Sequence, residues 1–415
     1  MIRTFFLIAA LSWGAWSLGG CSSSSTPRRP NVLLVVVDTL RQDHLEPYGY
    51  QGNPTSPALK EFAKESVVWS GVIGASTWTM PNMATLFTGK DPVEHRVMRM
   101  VGAGSRLTEA ETLAVQFRKS GYSTACVMGN FLLRADRGVG FHRGFDVWDD
   151  SLTDGGNVHR GSTAKGVAQR GLELLDELPS DKPWFIVLHF FDPHTSYENQ
   201  KDFSFTDPNY SGWVQGGLSN DDYRRHQDSM SAEDILQLGA LYDEEIAEVD
   251  QAFSSVMTAL KSADLWDNTA VFFTSDHGEE LGESQYIGHT RNVSPAILEI
   301  PLMMKPVAGY PGKLASTVNQ LLPQKEIFGM ILQSAGLPLP SGWTESQGCF
   351  VEVDFVPVKQ DQEDKRIHKR ALVTQDGRLT LDLKTGEEEW YPTTSGAVVP
   401  ASTRTLWKEH RWWQP

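Results

Sequence analysis

Three apolar runs, each leading into an acid, restrict this chain to an open α/β sheet. They are Asn31 to Val37 before Asp38, Trp184 to Phe191 before Asp192, and Ala270 to Ser275 before Asp276-His277. A strand with no polar face must be covered on both sides, as strands of parallel sheets are. In open α/β sheets, ligands bind beyond the carboxyl ends of the strands. Two strands ending in Asp38 and in Asp276-His277 therefore point to a metal-competent site on one edge. A chain of 415 residues, 40% hydrophobic, supplies one large core and a smaller appendage.

The segment from Ser76 to Lys90 adds a reactive group. Thr79 stands two residues before Pro81, where a helix should begin. Its hydroxyl is expected to act as N-cap, with Pro81 in the first turn, where a missing N–H costs nothing. The positive end of that helix would face an approaching anion, which suits a nucleophile attacking a phosphate or sulfate ester. An ordinary capping threonine is the alternative on this segment alone.

The ordered set of motifs resembles the sulfatase family of the alkaline phosphatase superfamily. It runs from about Asn31 to about Pro306 and includes the Asn31-to-Asp38 strand, the Thr79-x-Pro81 block with Leu86-Phe87-Thr88-Gly89, and Gly121-Tyr122. His189-Phe190-Phe191-Asp192-Pro193-His194, Thr274-Ser275-Asp276-His277-Gly278-Glu279, Gly288-His289 and Ile300 to Pro306 follow in order. The resemblance implies an alkaline-phosphatase-like α/β fold, with a mixed, mostly parallel sheet sandwiched by helices and a small C-terminal antiparallel subdomain. It also implies metal-dependent cleavage or transfer of phosphate or sulfate esters through a covalently modified nucleophile. Thr79 matches that nucleophile, and Asp38, Thr79, Asp276 and His277 match metal ligands. The expected cofactor is one divalent ion, manganese, zinc or calcium. One imidazole and two carboxylates suit Zn²⁺ or Mn²⁺ better than an all-oxygen calcium cage. His194 and His289 are expected to hold the ester oxygens or protonate the leaving group, or to build a second ion site with Asp192. Lys90 matches a family position near the nucleophile helix and is carried as a catalytic candidate beside the plainer reading of a helix C-terminal cation.

Departures from the family pattern shift the expected chemistry. Sulfatases carry a Cys or Ser that is oxidised to an aldehyde; Thr79 cannot give it, and Met83 takes the place of the signature arginine. Gly129-Asn130-Phe131-Leu132 lacks the usual lysine and histidine, and Thr39 replaces a second acid beside Asp38. Phosphoryl transfer through a threonyl ester is expected. The alternatives are true sulfuric ester hydrolysis, a phosphoethanolamine- or phosphoglycerol-type transferase, and an inactive binding lipoprotein.

Around these motifs, His189 reads as a satisfied core histidine, His95 as lying away from the metal, and Asn130 as reaching the substrate or capping a turn. Trp78, beside the nucleophile, is a candidate substrate wall. Glu198 to Ser231 reads as a long irregular lid, with Tyr223, Arg224, Arg225 and His226 as possible substrate contacts, or equally as a solvated surface loop. Leu238, Leu241, Ile246, Val249, Phe253, Val256 and Leu260 form a helical stripe. After Cys349, short alternating runs separated by Asp376-Gly377 and Thr385-Gly386 read as hairpins.

Residues 1–20 read as a lipoprotein signal peptide ending in Leu18-Gly19-Gly20, with Cys21 as the lipidation site and 21–30 as a tether. The remaining partition is a catalytic domain over 31–345 and a C-terminal subdomain over 346–415. The expected location is the bacterial cell envelope, lipid-anchored, with a small-molecule, lipid or glycan ester as substrate. A formal net charge of −15 excludes a general nucleic-acid binder. Besides Cys21, only Cys126 and Cys349 remain, and no disulfide framework is expected.

Overall fold

The computed structural model describes residues 29–410, apart from 101, 103, 108–110, 157–162, 311, 313, 347, 357–364 and 396. The expected signal peptide, Cys21, most of the tether and the extreme C-terminal tail lie outside the described residues.

The three apolar runs form β1 (Asn31–Val37), β5 (Trp184–Phe190) and β6 (Thr269–Ser275), all fully buried. With β2 (Val67–Ile73), β3 (Ser123–Met128), β4 (Val147–Asp149), β9 (Glu299–Lys305) and β10 (Ser316–Pro323), they build an eight-stranded sheet. Its order is β10-β2-β9-β6-β1-β5-β3-β4. β1 runs parallel to both β5 and β6, while β9 runs antiparallel to its neighbours β2 and β6. β7 (Glu280–Leu281) and β8 (Ile287–Gly288) form a small ribbon beyond the end of β6.

Alternate residues of each central strand enter different cores. Leu33, Val35 and Val37 pack with α1 (Pro57–Lys64), with α5 (Ala164–Glu177) and with the long α7 (Ala232–Ser262), whose predicted stripe is buried throughout. Val32, Leu34 and Val36 pack with α2 (Thr79–Thr88), α4 (Leu113–Lys119) and α9 (Glu326–Ser334). Both sheet faces are therefore closed, and the free backbone groups beyond the carboxyl strand ends lie at one edge. Cys126 is a buried apolar residue, and Cys349 is buried as a free thiol.

The C-terminal region forms an antiparallel sheet of β11 (Cys349–Phe355), β12 (Ile367–Thr374), β13 (Gly377–Asp382) and β14 (Glu388–Pro392). The turn after Thr374 and the connection through Gly386 fall where the hairpins were expected. Cross-links join this sheet to the segment ahead of α2: Glu352 N–H donates to the Ala75 carbonyl at 3.0 Å, and Ser76 Oγ donates to the Glu352 carbonyl at 2.7 Å.

Glu198 to Ser231 is not irregular throughout. It contains α6 (Asn220–His226), started by a Ser219–Asp222 capping box. Buried Glu244 and Glu245 on α7 tie down its first part. Glu245 accepts from Glu198 N–H, and Glu244 from those of Gln200, Phe205 and Thr206. Carboxylates projecting from a buried helix give the loop's backbone donors partners that no ladder provides. Among the described residues, no helix is long and apolar enough to cross a membrane.

Candidate active site

Parallel pairing brings the ends of β3, β1 and β6 to one place. Asp38, Asn130 and Asp276 each follow the last residues of their strands, and all three are buried. Asn130 Nδ2 donates to Asp38 Oδ2 at 2.5 Å and stands 3.5 Å from Thr79 Oγ. Its Oδ1 also accepts from Leu132 N–H at 2.8 Å, so this residue both reaches the centre and caps a turn. Asp276 Oδ1 accepts from the N–H groups of Thr39 and His277. The other oxygens, Asp38 Oδ1 and Asp276 Oδ2, are buried without hydrogen-bond partners.

His277 closes the centre. Its Nδ1 lies 2.9 Å from the Gly278 carbonyl, which fixes Nδ1 as the donor and leaves Nε2 with a lone pair. That Nε2 stands 3.4 Å from Asp276 Oδ2, 3.7 Å from Asp38 Oδ1 and 3.4 Å from Thr79 Oγ. The glycine after it is a steric requirement: a Cβ on Gly278 would meet the Ala296 carbonyl oxygen at 2.0 Å.

Thr79 differs from expectation in its local role. Helix α2 begins at Thr79, and Trp78 occupies the N-cap position without a side-chain cap bond. The Thr79 hydroxyl is thus not spent on the helix and faces His277 and Asn130 instead. Asn82 laces the turn, accepting from Ser76 N–H and donating to the Ser76 and Trp78 carbonyls. Trp78 is buried edge-on to Phe355, with their ring centres 5.6 Å apart, and lines the cavity above Thr79.

The expectation for His189 is overturned. The imidazole is fully buried, and neither ring nitrogen has a hydrogen-bond partner. Register places His189 beside Val36, two residues before Asp38 on the same face of the sheet. Ligand-capable atoms of Asp38, His189 and Asp276 lie within 4.8 Å of one another. His95, by contrast, is fully engaged, with Nε2 at 3.0 Å from Thr85 Oγ and Nδ1 accepting from Val97 N–H.

Lys90 is not brought to Thr79. It is exposed just past the opposite end of α2, where it lines a separate cavity of about 310 Å³. Asp192 is also absent from the centre; its Oδ2 accepts from Ala164 N–H at the start of α5. It therefore does not join His194 and His289 in a second ion site. Those two histidines do meet, with ring centres 5.1 Å apart, and His289 lies 4.5 Å from His277. Both line the cavity above Thr79.

Glu279 is the site residue that residue-by-residue reading missed. Fully buried, it pairs with His289 Nδ1 at 2.6 Å through Oε1 and accepts from Thr195 Oγ at 2.7 Å through Oε2. Burial opposes its ionisation, yet the His289 and His194 imidazoles and these hydrogen bonds hold its carboxyl below the usual range. Its only sequence signal was its place directly after Asp276-His277-Gly278. Glu279→Gln is expected to lower turnover about 10- to 100-fold by loosening His289, with the pH profile shifted as well. Kinetics from pH 5 to 9 check this; an unchanged profile would reduce Glu279 to a packing residue.

Electrostatics separate the other groups. Burial, then the neighbouring Asp276 charge, push the Asp38 carboxyl well above its ordinary value; burial pushes Asp276 up to about 7. Burial, then the His289 charge, hold His277 neutral. Two unpartnered carboxylate oxygens and neutral imidazole nitrogens, all at full burial, fit a divalent cation. They are costly without one.

Acids and imidazoles gathered beyond the carboxyl strand ends, facing a hydroxyl at a helix start, define a hydrolase of ester bonds with a candidate divalent-metal site. Residues 30–337 match the Sulfatase family, and the chain belongs to that family, within the alkaline phosphatase-like superfamily. It is 25% identical to the "Uncharacterized sulfatase YidJ" of Escherichia coli (strain K12) over 413 residues, spanning 87% of this chain and 80% of that protein. Its identity to the "Choline-sulfatase" of Rhizobium meliloti (strain 1021) is 24%, over 80% of this chain and 73% of that protein. The fold is similar to the phosphonate monoester hydrolase of Agrobacterium radiobacter, with a TM-score of 0.71 and 19% identity, covering 88% and 89% of the two chains.

Proposed function

We propose that this chain is a metal-dependent hydrolase of phosphorus esters, with Thr79 as nucleophile. The observation that carries the reading is the Thr79 hydroxyl. It is buried, unused by its own helix and within 3.4 Å of His277 Nε2. Asp38, Asp276, His277 and His189 would hold the ion, with His189 supplying a nitrogen beside the two carboxylates. A bound divalent ion would favour ionisation of the Thr79 hydroxyl and neutralise charge on the ester oxygens. Thr79 Oγ gives up its proton to solvent and attacks phosphorus, the bond from phosphorus to the alcohol oxygen breaks, and His194 or His289 protonates the departing oxygen. Water then attacks the threonyl ester, releasing phosphate or its ester and restoring the hydroxyl. Asn130 orients both Thr79 and Asp38 throughout.

A threonine side chain carries a methyl group on Cβ and cannot be oxidised to the aldehyde that sulfatase chemistry uses. This favours phosphorus over sulfur. Sulfuric ester hydrolysis is the second reading, favoured by the names of the relatives. The test is a side-by-side assay of nitrophenyl phosphate, bis-nitrophenyl phosphate, a phosphonate monoester and nitrophenyl sulfate, with Mn²⁺ or Zn²⁺ loaded. Faster phosphorus ester turnover supports the proposal, and faster sulfate turnover overturns it. Lipidation at Cys21 and attachment to the cell envelope belong to the same proposal; mass spectrometry of the native protein decides them.

His189→Ala is expected to weaken ion binding about tenfold or more, measured by calorimetry on the metal-stripped protein. Unchanged affinity would return His189 to the core.

A further inference from the structure

The cavity above Thr79 encloses about 1120 Å³, at the large end of small-molecule pockets. It is too large for a single ester group, and its wall has the opposite sign to the chain as a whole. Among the described residues, Arg224, Arg291, Lys365, Arg366, Lys369 and Lys384 line it, against one acid, Asp382. The complete sequence holds 37 Lys and Arg against 52 Asp and Glu. A concentration of cations on one cavity wall in an acidic protein is a local feature, not a reflection of composition.

Some of these charges, Lys384 among them, already have partners. Arg366 is paired with Asp354 at 2.6 Å, and Arg224 with Asp221 at 2.9 Å. Arg291 lies over the Tyr286 ring at 4.9 Å, which positions its guanidinium at the cavity without neutralising it. Lys369 lies on β12, Lys365 just before it, and Lys384 just after β13. The C-terminal sheet and the segments flanking its strands thus supply much of the cationic wall, while the ends of the main sheet's strands supply the candidate metal-ligand cluster and the start of α2 supplies Thr79. Such a wall focuses potential into the cavity and favours anions there.

We propose that the substrate's alcohol portion carries a second anionic group, a phosphate or sulfate apart from the scissile ester, held by Lys365, Lys369 and Arg291. This rests on the ester-hydrolase reading of the same cavity and adds the substrate class. A charged glycan and an anionic lipid headgroup would present the same chemistry.

The test is calorimetric binding to the metal-loaded protein, so that it does not depend on turnover. The probes are inositol monophosphate and inositol bisphosphate. The bisphosphate is expected to bind about tenfold tighter, with an advantage that shrinks as salt rises. Joint Lys365→Ala and Lys369→Ala substitution is expected to bring the ratio to about one, while Lys365→Arg with Lys369→Arg keeps it. Equal affinity of the two probes for the wild-type protein would overturn the proposal, as would a ratio unmoved by the alanine pair. Competition by a dextran sulfate oligosaccharide would identify the glycan source, and competition by phosphatidylglycerol vesicles the lipid source. Competition by neither would also overturn it. Retained discrimination without ester turnover would sink the hydrolase reading alone.

Discussion

Thr79→Ala, loaded with metal, is expected to keep its fold and lose phosphorus ester turnover by about 10⁴-fold or more, the scale seen when a nucleophile is deleted. The hydroxyl makes no cap bond to α2, so its removal leaves the helix start intact. Asn82 goes on lacing the preceding turn through Ser76 and Trp78. Melting temperature should therefore move by no more than a few degrees while kcat collapses. Thr79→Ser is the informative companion: it keeps the oxygen and should retain measurable turnover. Full activity in the alanine variant would remove Thr79 from the mechanism, and a matched loss of Tm would show a folding defect instead.

Stripping the metal should reveal how much of the protein's stability the ion supplies. Without it, Asp38 and Asp276 face each other at full burial, each with one oxygen lacking a partner. Burial raises Asp276 from 3.8 to about 7 in the folded protein. A carboxyl whose folded pKa is raised is most compatible with folding when protonated. Its contribution is complete below the unfolded value and is lost as pH climbs to about 7. The metal-free protein should accordingly lose stability from about pH 4 to pH 7, by an amount on the order of a few kcal/mol. Saturating metal should raise Tm by roughly 5 °C at pH 7.5 through preferential binding to the folded state. Asp38→Asn supplies the sign test. It should stabilise the stripped protein, by relieving the pair, and destabilise the metal-treated protein, by removing a ligand. Scanning calorimetry with and without chelator reads both. A variant less stable under both conditions would argue against a metal at this position.

The strands and what they carry were legible because the signals are local. A run such as Val32 to Val37 has only one stable environment, a sheet covered on both faces, and the residue after it must then lie at the sheet's edge. Asp38 and Asp276 follow from that alone. The same reasoning marks the α7 stripe and the hairpins around Gly377 and Gly386, where spacing and turn residues carry the message.

His189 and Lys90 fail in opposite directions for the same reason. In a strand buried on both faces, every position looks like core, so nothing local says that His189 shares a face with Asp38; the β1–β5 register decides it. Lys90 is close to Thr79 in sequence, but a helix rises about 1.5 Å per residue, so the ten residues of α2 put it roughly 15 Å away. The hydroxyl of Thr79 shows the same limit, since its place two residues before Pro81 suggested a cap and only the helix start at Thr79 itself releases it.

By itself, the sequence determined the sheet type, the edge on which chemistry gathers, and the acid, imidazole and hydroxyl groups available there. Tertiary structure alone decided which of them meet. Glu279 reaches His289 and Thr195, His189 lies beneath the two carboxylates, and Lys365 and Lys369 come from a separate sheet to the cavity over Thr79. Burial and period are properties of a segment. Proximity between segments depends on strand order and register, which no single segment encodes.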